Sequence, residues 1–141
     1  MKLPLNGLLL FSQSRSVSIR EQHMKENPLD NLRAICLVFP EASEQGGVGD
    51  PSFKVRDKIF AMQHRVDDRP SMWCKAPSGV QDILVNSNPE RFFVPPYVGH
   101  HGWVGIWLDL EIDWDEVADL VEESYRMTAP KRLQAQLDRG G

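Results

Sequence analysis

The chain is poor in the residues that metal centres and nucleophilic sites are usually built from. Across 141 residues it has two cysteines, Cys36 and Cys74, and four histidines. The cysteines lie far apart, with no metal-ligand spacing around either, and each sits among apolar neighbours. They read as buried reduced thiols of a cytoplasmic protein, not as a zinc knuckle or a disulfide framework. Long apolar runs are also missing. No window approaches the roughly 20 apolar residues needed to cross a bilayer, so no membrane partner is expected. Basic residues are not in excess: 16 against 20 acidic ones give a net charge of −4. That balance excludes a protein that coats nucleic acid or anionic membrane non-specifically.

Catalytic signatures are scarce as well. Ser52, Ser71, Ser78 and Ser87 stand in no nucleophile-elbow context. The glycine-rich stretch GGVGD sits between a helix and a strand, the wrong order for a phosphate cradle. Cys74 beside Lys75 is the one thiol with a cationic neighbour, and no histidine is placed by sequence to serve it. The expectation is a protein that is not an enzyme and carries no cofactor and no metal.

What is present suits one globular domain. At 41% hydrophobic and 26% charged residues, a chain of this size buries roughly two-thirds of its unfolded surface without staples. The first residues differ from the rest. MKLPLNGLLLF resembles an export signal, but Asn6 and Gly7 break its apolar core and no small-x-small site follows. Met24 immediately precedes a well-formed helix start. Residues 1–23 therefore read as a disordered upstream extension or misassigned start, and 24–139 as a single domain.

Asn27-Pro28 opens the first helix, with Asn as N-cap and Pro in the first turn. Leu29, Leu32, Cys36 and Phe39 follow at helical spacing until Pro40. EASEQGGVGDP reads as a connector. SFKVRDKIFAMQ reads as a hairpin: Phe53 and Val55 alternate with polar neighbours, Arg56-Asp57 turns, and Ile59 to Met62 returns. After DDRP, SMWCK is a third strand. APSGVQDILVNSN is helical, with Val80, Ile83 and Leu84 on one side, and Asn88-Pro89 ends it. FFV makes a short strand before Pro95-Pro96. GWVGIWLDL alternates: Trp103 and Trp107 flank Gly105 on one face, with Val104, Ile106 and Leu108 on the other, as expected of a central strand. Asp113 caps the next helix, with Glu116 in capping-box register and Val117, Leu120, Val121 and Ser124 facing inward. Pro130 begins a last short helix.

The run FFVPPYVGHHGWVGIWLD, from Phe92 to Asp109, carries the most information. Together with CLVFPEASE, SFKVRDKIFA, CKAPSGVQDILV and ESYRMTAPKRL, it resembles the MmcQ/YjbR family of small domains. The resemblance covers nearly everything from Leu29 to Leu137. It implies an α+β fold: a two-layer arrangement with an antiparallel sheet, α-β(3)-α-β(2)-α, similar to secretion chaperones and double-wing domains. Many members carry a His before the proline where this chain has Asp50-Pro51. Members are commonly labelled DNA-binding by fold analogy, which by itself says little about a site.

Two binding classes follow. For DNA, Lys54, Lys58, Lys75, Arg91, Tyr97, His100, His101 and Trp103 would lie on or around one sheet face, the basic groups on phosphates and the aromatics under bases. Between Pro51 and Trp103 seven basic side chains face five acidic ones, a faint patch. The alternative is a small-ligand or protein-binding module that uses the aromatic segment from Tyr97 to Trp107 and holds a small planar or anionic molecule. Adjacent His100 and His101 on an extended strand would point to opposite faces and chelate poorly. The stretch from Asp109 to Glu123 has eight carboxylates and no basic group, so DNA must avoid that helix. Aromatics exposed on the sheet would also serve a weak homodimer; otherwise the protein is expected to be a monomer.

Overall fold

The computed structural model of the chain describes residues 27–46 and 50–140; the expected extension over 1–23 lies outside them. The elements run α1 (Pro28–Cys36), β1 (Ser43–Gln45), β2 (Ser52–Val55), β3 (Lys58–Val66), β4 (Arg69–Cys74), α2 (Val80–Ser87), β5 (Phe92–Phe93), β6 (Val104–Trp107), α3 (Trp114–Thr128) and α4 (Lys131–Gly140). The six strands form one antiparallel sheet in the order β1-β2-β3-β4-β6-β5.

This is the α+β sheet-and-helix arrangement expected, with one strand added. The connector contains β1, which pairs with β2 through Ser43↔Lys54, Glu44↔Phe53 and Gln45↔Ser52. Its residues show no apolar alternation because it is a short, polar edge strand. A second correction concerns β6. It is paired on both sides, but it stands fifth of six; β3 and β4 are the central strands.

The hairpin turns follow from backbone sterics. Arg56 and Asp57 have φ of 51° and 67°, and Asp67 and Asp68 repeat those values. Positive φ at both central residues is the type I′ geometry whose twist matches the flanking strands. Both turns form without glycine.

Register sorts the side chains. Directly opposed residues of an antiparallel sheet point to the same face. One row across the strands is Phe53, Ala61, Cys74 and Val104, all fully buried. The adjacent row is Ser52, Met62, Trp73, Gly105 and Phe93, on the opposite face. The first face is covered by α3, which lies over β3 and β4 and against α1. A bulge leaves Phe60 without a partner on β2, so Phe60 and Ala61 are both buried in succession.

Helix α3 supplies Trp114, Val117, Ala118, Val121, Ser124 and Tyr125 to that core, the stripe of a one-sided amphipathic helix. Tyr125 stacks on Phe39 at 4.8 Å between ring centres and meets Phe60 edge-on at 5.4 Å. Its hydroxyl donates to Pro40 O at 2.8 Å, which ties the segment after α1 to α3. Asp113 caps α3 as expected, accepting from the amides of Asp115 and Glu116. The reciprocal half of the capping box does not form, because the Glu116 carboxylate is engaged by Arg91.

Candidate functional site

A concavity lies where the start of α2 meets the turn before β6. Helix α2 begins after Pro77, Ser78 and Gly79, and Gly79 takes φ +87° with no side-chain cap. The chain before β6 winds as a 3-10 turn over Gly99–His101, closed by His101 N–H on Val98 O at 3.0 Å and Gly102 N–H on Gly99 O at 2.9 Å. Gly102 leaves the turn at φ +87°, a conformation that disfavours any residue with a Cβ. Gln81 ties the two pieces together. Its Nε2 donates to Gly99 O at 2.8 Å and to Trp103 O at 2.5 Å. Both amide hydrogens are thus used to hold the turn against α2.

Between them is a cleft of about 510 Å3, lined by Ala76 to Gly79, Asp82, His100, His101 and Met127 among others. The two imidazoles do not diverge as they would on an extended strand. The 3-10 turn rotates successive side chains by about 120° instead of 180°, and the rings sit 3.9 Å apart, centre to centre. Among the described residues no group of three or more His, Cys, Asp or Glu side chains could hold a metal ion.

The other residues named for binding are dispersed. Lys58 and Lys75 are near neighbours at one corner: burial and then the charge of Lys58 hold the Lys75 amine below its usual pKa. Lys54 is on β2, half-buried, opposite Ile59. Arg91 pairs with Glu116 and lies over the Phe92 ring at 4.9 Å, so α3 already holds its charge. Trp103 is buried and contributes its carbonyl to the Gln81 clamp. Tyr97 is 85% exposed. The structure brings His100 and His101 together in the cleft and Lys58 and Lys75 together at the corner.

The face of the sheet opposite α3 is closed by its own rings. His64 lies 4.5 Å from Trp73. Trp73 Nε1 donates to Ser71 Oγ at 2.9 Å, and that hydroxyl donates to His64 O at 2.6 Å. Phe93 stacks on Trp107 at 4.2 Å. The Arg69 guanidinium sits 3.8 Å over Trp107 while both its Nε and Nη2 bind Asp109, at 2.8 and 2.9 Å. That pairing holds the Asp109 carboxyl below its usual pKa.

The thiols are enclosed. Burial pushes the Cys74 pKa up to about 12, and burial and then the nearby Cys74 raise that of Cys36 well above normal. Neither is a thiolate at neutral pH. Ser78, Gln81, Asp82 and Met127, which line the cleft with the histidines, carry no motif in the sequence. The Pro-Ser-Gly ahead of α2 marks a helix start, but only folding puts that start beside a turn some 20 residues on.

A family model described as YjbR matches residues 37–127. Among solved structures, protein DR2400 of Deinococcus radiodurans, with a DUF419 domain, is similar at 20% identity and a TM-score of 0.60, covering 69% of this chain and 75% of its own. A protein from Pseudomonas syringae aligns at 13% identity and a TM-score of 0.44, covering 85% of this chain and 100% of its own. The first likeness concerns the fold alone. No protein of curated function matches the chain.

Proposed function

Because the chain belongs to the YjbR family, a family of small binding-type domains, we propose that it works without catalysis and holds a small planar molecule in the cleft between the start of α2 and the His100–His101 turn. The cleft itself carries this reading. Its volume of about 510 Å3 falls within the ~300–1,000 Å3 of small-molecule sites. Its two walls are locked by the doubly donating Gln81 amide, and preformed walls reduce the ordering that a ligand must impose. A non-catalytic role is supported by the burial of both thiols and by the lack of a nucleophile elbow in the sequence. No helix among the described residues is long and apolar enough to cross a membrane.

A second reading, contact with a nucleic-acid backbone, rests on the lysine corner. Among the described residues Lys54, Lys58 and Lys75 enter no ion pair, whereas Arg33, Arg56, Arg69, Arg91, Arg126 and Arg132 all do. A phosphate would relieve the repulsion between Lys58 and Lys75. Base stacking would fall to Tyr97, which is exposed, since Trp73 and Trp103 are buried. Three phosphate contacts imply a log–log salt slope of only about −2.7.

One experiment separates the two. Amide shifts of the 15N-labelled protein are followed at low salt against a library of heteroaromatic fragments and against short single- and double-stranded DNA. The small-molecule reading expects fragments to move Gly79, Gln81 and the amides of 99–102. It is wrong if no fragment moves them. DNA that moves only Lys54, Lys58 and Lys75, and loses its effect as salt is raised, supports the second reading.

A further inference from the structure

Tyr97 occupies a conformation that its side chain does not favour and packing does not reward. Its φ is +69°, and Val98 N–H donates to Pro96 O at 2.7 Å across it. This is a three-residue γ-turn with a positive-φ centre, the rare and strained form. Glycine would adopt it freely, whereas a tyrosine is strained there. The side chain is 85% exposed, so no burial compensates for the backbone. Both ends of the turn are anchored. Pro95 before it is buried, and after it Gly99 fits so closely against Val94 that an added Cβ would lie 2.4 Å from a Val94 methyl. An outlier of this kind on an exposed aromatic, two residues along the chain from Gly99 in the cleft lining, points to a role outside stability. Tyr97 stands three residues before His100, so its Cα lies within about 11 Å of that residue along the chain.

We infer that Tyr97 is the closing wall of the cleft, swinging over the His100–His101 pair to sandwich a planar heterocycle that carries N–H donors. The inference rests on the small-molecule reading and adds both the closing residue and the ligand class. The ring requirement comes from the imidazole faces and the phenol face. The donor requirement comes from the polar lining. Both Gln81 hydrogens are committed to Gly99 O and Trp103 O, leaving its Oε1 as an acceptor. The Asp82 carboxylate, which lines the cleft, is acceptor-only when ionised and enters no ion pair among the described residues. An amino-substituted purine or pyrimidine ring answers both requirements; a bare anion answers neither and is repelled by Asp82.

The test titrates the full chain with adenine, with unsubstituted purine and with inorganic phosphate, following the amides of Gln81, His100 and His101. Adenine is expected to bind, purine at least ten-fold more weakly, and phosphate to leave the cleft unmoved. Tyr97→Phe keeps adenine affinity within about two-fold, and Tyr97→Ala loses about ten-fold, the scale of one aromatic–base stack. Nuclear Overhauser contacts are expected between the Tyr97 ring and adenine. Equal adenine affinity in wild type and Tyr97→Ala removes Tyr97 as the wall and leaves the cleft reading standing. Cleft shifts with other fragments but none with adenine overturn the ligand class. No cleft shift with any compound overturns both proposals.

Discussion

Ser124 joins the helix layer to the sheet through one hydroxyl. Its Oγ donates to Phe60 O at 2.6 Å and accepts from Lys75 N–H at 2.9 Å, and the residue is fully buried. Ser124→Ala leaves one acceptor and one donor unmatched at the ends of two central strands, and is expected to cost about 1–3 kcal/mol. Urea denaturation with an unchanged slope and a lowered midpoint is the expected result; an unchanged midpoint contradicts it. Helical spacing already placed Ser124 on the inner face of α3. It could not say which strands the hydroxyl would bridge, because that depends on how the helix crosses the sheet. Ile83 shows the opposite failure. Spacing put it with Val80 and Leu84, yet it is 63% exposed while Val80, Leu84 and Val85 meet the core. In a helix of eight residues a small rotation about the axis decides which apolar residue faces in, and neighbouring packing sets that rotation.

At the level of elements, Gly105 in β6 is where sequence pattern and packing meet. Alternation placed it between Trp103 and Trp107. The structure adds that the Phe93 ring lies flat over it, so an added Cβ would come within 2.3 to 2.6 Å of ring atoms. Gly105→Ala must therefore dislodge Phe93 from Trp107, at a cost of about 1–3 kcal/mol. In a double-mutant cycle with Phe93→Ala, the combined loss is expected to fall well below the sum of the single losses. Strict additivity would show that the ring contact is not the cause. Edge strand β1 was invisible from the sequence for a different reason. Three polar residues have neither period nor β-branched content, and they are a strand only because β2 offers an unpaired edge. The His100-His101 pair was legible as a turn, but not as a stacked pair, since that depends on the handedness of a 3-10 turn flanked by glycines.

Among the described residues, six arginines form ion pairs with carboxylates: Arg33, Arg56, Arg69, Arg91, Arg126 and Arg132. Arg56, Arg69 and Arg126 hold the carboxyls of Glu41, Asp109 and Asp138 below their usual pKa values. Because these folded-state values lie below the unfolded ones, the stabilisation is present above about pH 4 and is lost as pH falls through the folded values. The melting temperature is expected to drop between about pH 5 and 2.5, and Arg69→Met to reduce that drop. A flat profile in the wild type would contradict the assignment. The same pairing takes three of the basic residues counted along the chain, Arg56, Arg69 and Arg91, into ion pairs with acids up to 40 positions away in sequence. Local signals settled what local physics controls: the caps of α1 and α3, the turn at Arg56-Asp57, the apolar stripe of α3 and the two-faced character of β6. These depend on hydrogen bonds and side-chain periods within a few residues. The folded chain alone decided which rings would be buried, which arginines would be paired, and that the start of α2 would meet the His100–His101 turn. Those outcomes rest on contacts between segments distant in sequence, where burial and charge pairing are set by the sheet order and the helix crossing and not by any neighbouring residue.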